Sequence, residues 1–76
     1  MNNERRKAIS KLVGEVADIR SQLETIKDEE QEAFDNMPEG LQASEKGEQA
    51  QAAADALDSA CSSLEEVESY LDEAQQ

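Results

Sequence analysis

A single proline interrupts an otherwise continuous helical pattern, and it does so midway along the chain. Before it, Ile9, Leu12, Val16, Ile19, Leu23 and Ile26 recur at alternating steps of three and four residues. That spacing has a period of about 3.5 residues, the mark of a helix with one apolar stripe. The count runs on through Glu30 and Ala33, with Phe34 beside it. After the proline the same period returns in Ala50, Ala53, Leu57, Ala60, Leu64, Val67, Leu71 and Ala74. The residues between these positions are mostly Glu, Asp, Gln, Lys and Ser, which suit a solvated helical face.

The interruption reads Asn36-Met37-Pro38-Glu39-Gly40. Pro38 disfavours helical geometry at Met37, and Gly40 permits a turn. The pattern predicts a single domain over 1–76, with a helix over about 3–36, a turn over about 37–43 and a helix over about 44–74. Asn3 and Ser44 are the expected N-caps, and Glu45 and Glu48 fall in the first turn of the second helix, where its dipole favours negative charge. Gly14 is a weak point, costing about 1 kcal/mol relative to alanine in a helix interior.

So short a connection returns the second helix antiparallel to the first. With the turn centred near Gly40, opposing residue numbers sum to about 80. Ile9 is then expected against Leu71, Leu12 and Val13 near Val67, Val16 against Leu64, and Leu23 against Leu57. The same pairing sets Arg5, Arg6, Lys7 and Lys11 opposite Glu65, Glu66, Glu68, Asp72 and Glu73. Each cluster is misplaced for the dipole of its own helix.

The fold class expected is therefore all-α: an antiparallel, coiled-coil-like two-helix hairpin. A chain of 76 residues is near the size at which one core is only marginally stable. It has one cysteine, Cys61, and no histidine, so neither an intrachain disulfide nor the commonest metal ligand is available. Self-association into a four-helix bundle or a higher homo-oligomer is the expected remedy. Ala50, Ala53, Ala54, Leu57, Cys61 and Leu64 are the candidate association surface, because small side chains let another helix approach closely.

Composition narrows the function classes. Nineteen acidic residues against seven basic ones give a formal charge of −12. Such a surface repels nucleic-acid phosphates and anionic lipid head groups, so neither direct nucleic-acid binding nor membrane binding is expected. No apolar run approaches the roughly 20 residues of a membrane span, and the amino terminus has no signal-peptide pattern. A cytoplasmic location is expected. Catalytic residues, cofactors and metal ligands are not expected either. Cys61 lacks an activating histidine, and the acidic run Asp28, Glu29, Glu30, Glu32 and Asp35 lacks the spacing and glycine of a calcium loop.

The turn is the candidate site. Phe34, Met37, Pro38 and Leu41 place apolar side chains around it, ringed by Asp35, Asn36, Glu39, Gln42 and Lys46. Backbone amides near Ser44 at the start of the second helix, with Lys46 beside them, offer an anion site. Two readings stay open: these residues plug the open end of a bundle, or they form a binding surface.

The run from Asp28 to Gln42, with Phe34-Asp35-Asn36-Met37-Pro38-Glu39 at its centre, and the following Ser44-Glu45-Lys46-Gly47-Glu48 resemble small acidic helical-hairpin proteins encoded by bacteriophages and prophages. In these, an acidic helix enters an F-D-N-M/L-P-E turn, then an S-E-K/R-G-E start and an alanine-rich second helix. The resemblance covers most of the chain and carries no site residues with it. It implies a phage context, in which small proteins often block host defences. The leading expectation is a non-enzymatic accessory protein that binds and inhibits a host factor with a basic surface, acting as an acidic mimic of nucleic acid. Alternatives are an oligomeric sponge for a small nucleotide signal and a structural coiled-coil module.

Overall fold

The computed structural model describes residues Met1 to Gln76. The molecule is a rod with extents of 58 × 14 × 12 Å. Its three helices are α1 (Asn3–Asp35), α2 (Glu39–Gln42) and α3 (Glu45–Ala74), with no strand, and α1 packs against α3. No helix is long and apolar enough to cross a membrane.

Caps fix where these helices begin. The N-cap of α1 is Asn2 rather than Asn3: Asn2 has extended backbone, and its Oδ1 accepts the Arg5 amide at 2.8 Å. Asn3 is one residue too far along, already in the first helical position. Ser44 caps α3 as expected, accepting the Gly47 amide and donating to the Leu41 carbonyl. The helix then runs unbroken through Gly47 to Ala74.

The connection is more ordered than a simple turn. Pro38 ends α1 and at once starts the one-turn helix α2, its carbonyl accepting the amides of Leu41 and Gln42. Gln42 reaches back, its Nε2 donating to the Phe34 carbonyl at 3.1 Å and supplying a partner to the free end of α1. Gly47 lies directly beneath α2. A Cβ there would sit 2.5 Å from the Leu41 carbonyl oxygen and closer still to that of Gln42. Only a residue without a side chain lets α3 pass this close to the turn.

The seam between the long helices is not the apolar stripe itself. On α3 the buried residues are Gly47, Ala50, Ala54 and Cys61; on α1 none is buried. The innermost rows repeat every seventh residue: Arg6, Val13, Arg20, Lys27 and Phe34 on α1, and Gly47, Ala54, Cys61, Glu68 and Gln75 on α3. Cys61 Sγ comes within 4.0 Å of the Arg20 carbonyl oxygen, which sets the level of the pairing close to the expected sum. The large aliphatic side chains are swung to one side. Ile9, Val16 and Leu23 flank the seam half-buried, while Leu12, Ile19 and Ile26 stand 48–49 % exposed.

Helical geometry puts both displaced rows on the same side of the hairpin. Leu12, Ile19 and Ile26 sit one residue before the inner row of α1, and Ala53, Ala60, Val67 and Ala74 one residue before that of α3. In antiparallel helices equal rotations of this kind turn toward the same face. The opposite face is polar, where Gln51 donates to Gln31 and Lys27 to Asp58. The hairpin is thus two-faced.

The glycines separate the tight point from the merely weak one. Nothing lies within 4 Å of a Cβ at Gly14, and its φ is not positive. Gly14→Ala should raise unfolding free energy by about 0.5–1 kcal/mol in urea titration. Gly47→Ala should lower it despite the same gain in helix propensity, because the added methyl meets backbone that cannot move aside.

Candidate functional site

The turn residues gather at one end of the rod. Phe34 and Met37 are half-buried, whereas Asp35, Asn36, Pro38, Glu39, Leu41 and Lys46 are exposed. Phe34 and Met37 thus turn partly inward and Pro38 and Leu41 outward, an arrangement compatible with either reading of the turn. Ser44 is committed to local structure, its hydroxyl holding the Gly47 amide and the Leu41 carbonyl. Gln31 donates to Asp35 at 3.1 Å, which leaves the carboxylate on the outside of α1. Lys46 takes part in none of the ion pairs.

The residues expected to carry self-association are split. Ala50, Ala54 and Cys61 are covered by α1 of the same chain, so their small side chains serve the hairpin's own close approach. Leu57 and Leu64 are half-buried at the edge of the apolar face, and Ala53 lies exposed on it. Cys61 is a free, buried thiol.

Charge pairing also differs from expectation. Arg5, Lys7 and Lys11 point into solvent, and Lys11 pairs only with Glu15 in its own helix. Arg6 donates to the Gln75 carbonyl, and Ser10 to the Gln75 side chain. The interhelical ion pairs lie deeper. Arg20 forks onto Glu68, with Nε 2.7 Å from Oε2 and Nη2 3.4 Å from Oε1, and its Nη1 donates to Glu24 at 3.0 Å. Lys27 Nζ lies 3.4 Å from Asp58 Oδ1. These partners lie beyond the simple level pairing because side chains lean toward the N-terminus of their own helix. In antiparallel helices a long cation and a long acid therefore converge from staggered positions. Hydrogen bonds to Glu68 and then Glu24 hold the Arg20 guanidinium well above its ordinary value, and the bond to Asp58 raises Lys27.

Sequence reasoning missed this ladder. The available signal was a cation row, Arg20 and Lys27 seven apart, matched by Glu68 seven residues from Cys61.

On the polar face Lys27, Asp28, Gln31, Ala54, Asp55 and Asp58 line one open groove. Three carboxylates against one committed lysine disfavour an anionic ligand there, and no group of acids or thiols is arranged to hold a metal ion. The strongest functional feature is the other face. Ile9, Leu12, Val16, Ile19, Leu23 and Ile26 of α1 run beside Ala53, Leu57, Ala60, Leu64, Val67 and Leu71 of α3, and Tyr70 stands at the edge, 69 % exposed. Burial of a large aliphatic side chain is worth roughly 2 kcal/mol, and side chains half in water forfeit much of it. The arrangement suits docking onto another apolar surface.

Protein-family models, curated proteins and solved structures, when compared with the chain, return no match.

The raised value of Lys27 makes a pH prediction. A cation whose folded-state value is raised contributes stability that is fully present below its unfolded value, about 10.4, and is lost as pH rises through the folded value. Thermal melts of the Lys27→Met variant should therefore fall less steeply than those of the parent protein above about pH 10.4. Equal alkaline losses in both proteins would show that the Asp58 pair adds nothing.

Proposed function

We propose that the chain is a non-enzymatic binding protein that self-associates through its apolar face and presents an acidic exterior to a host factor with a basic surface. The observation that carries this reading is the division of the hairpin into one apolar face and one carboxylate-lined face. Three features support it: the formal charge of −12, the exposed aliphatic rows and the outward-facing turn. The resemblance of the turn to phage-encoded hairpins supplies the setting, a small accessory protein acting in the host cytoplasm on a defence protein. Carboxylates arrayed along a rigid rod can occupy a basic channel where phosphates would sit, which is the mimic form of the proposal.

The nucleotide-sponge reading is weaker for this hairpin. Its groove is acidic, the Ser44 hydroxyl is already bonded, and Lys46 is the one cation beside the turn. A purely structural coiled-coil role uses the apolar face equally well but assigns nothing to the turn.

Two measurements test the proposal. In sedimentation equilibrium the protein should exceed its one-chain mass of 8.4 kDa, and Ile19→Asp with Ile26→Asp should return it to that mass. Both side chains lie outside the inner rows, so the intrachain seam stays intact. In pull-downs from bacterial lysate, capture of the host factor should fall steeply as salt rises, since exposed charge pairs are screened beyond roughly 10 Å. Capture that persists unchanged at high salt would remove the mimic form.

A further inference from the structure

We infer that the apolar face is built to receive a second copy of the chain in one orientation, with α1 of each copy lying over α3 of the other and both turns at the same end. This rests on the self-association reading and specifies its geometry.

The two halves of the face differ in relief. The α1 row carries Leu12, Ile19 and Ile26, whereas the α3 row carries Ala53, Ala60 and Val67. Helix spacing follows the side chains at the contact, within about 8–10 Å. Setting α1 on α1 and α3 on α3 would stack large on large along one side and small on small along the other, which forces unequal helix spacings on the two sides of the bundle. A two-fold axis parallel to the helices removes the conflict by placing each tall row against a low one.

The levels agree. A two-fold of this kind keeps each residue at its own height, so the intrachain pairing also sets the interchain pairing. Ile19 then meets Ala60 of the second copy, Ile26 meets Ala53, and Leu12 meets Val67. At the outer edge Tyr70, the most exposed large hydrophobic side chain, faces Ala8. Along the outer edge charge is compatible as well. The α3 edge reads Gln49, Ala56, Ser63 and Tyr70, so Glu15 and Glu29 of α1 approach a row without like charge.

The area available is large for so small a chain. Leu12, Ile19, Ile26, Val67 and Tyr70 each leave 40–69 % of their surface exposed on this one face, in a row that a second copy would cover. Neighbouring helices in the resulting four-helix bundle are all antiparallel. The turns of both copies, with Met37, Pro38 and Leu41, form one composite tip.

The orientation is read by the distance between spin labels on the exposed Glu39→Cys position, in a Cys61→Ala background, with Ala43→Cys as a second label site. Turns at the same end place the labels about 20 Å apart or less, given interaxial spacings of roughly 10 Å. Turns at opposite ends place them near the 58 Å length of the rod. Short distances at both sites uphold the pairing. A dimer by sedimentation with only long distances overturns the pairing while leaving self-association standing. One-chain mass with no dipolar coupling overturns both.

Discussion

The close approach of α1 and α3 governs the rest of the molecule. It depends on a row of small groups, Gly47, Ala50, Ala54 and Cys61, that lets the two backbones come together. The inner rows of the seam carry no leucine or isoleucine. The leucines and isoleucines stand beside the middle, and helical geometry puts those of both helices on the same side. The two-faced character of the hairpin follows from the small residues rather than from the large ones. A monomer built this way buries no large side chain completely, which makes it a poor endpoint for a chain of this size.

Electrostatics follow from the same spacing. With small residues toward the turn, the seam has space at Arg20 and Lys27 for long cations that lie along it and reach Glu68 and Asp58. Basic residues are scarce, and two of the seven are spent in ion pairs that bridge the helices. The remaining carboxylates are mostly exposed, so the field outside the rod is strongly negative. The exposed Lys11–Glu15 pair contributes little to stability, whereas Arg20 and Glu68, forked and only 27 and 16 % exposed, are partly shielded from solvent.

Much of the hairpin was legible in the sequence because period and punctuation report on backbone. The 3.5-residue repeat located both long helices, and Pro38 and Ser44 marked the boundaries between them. Rotation about the helix axis was not legible. Hydrophobic periodicity identifies the apolar stripe, but a stripe wide enough to meet two neighbours does not say which edge meets which. Ala50, Ala54 and Cys61 looked like an outer surface because small residues invite close approach, and α1 itself is what approaches. The charged clusters at the termini drew attention by number, whereas Arg20 and Glu68 matter by position. At the turn, Pro38 read as an end to one helix, yet its fixed φ also suits the start of another. That second property gives α2, and Gln42 and Gly47 lock it in place.

The hydrogen bonds across the hairpin bear on how the chain reaches this state. Moving away from the turn, the contacts close steadily larger loops: Gln42 to Phe34 spans 8 residues, Gln51 to Gln31 spans 20, and Lys27 to Asp58 spans 31. Arg20 to Glu68 then spans 48, and Arg6 to Gln75 spans 69. Each contact made shortens the effective loop left for the next, so the entropy of closure is met in small instalments. Chains rich in local contacts fold quickly. The braced turn of Pro38, Gln42, Ser44 and Gly47 closes the shortest loops of the hairpin, and the clasp between Arg6, Ser10 and Gln75 closes the longest.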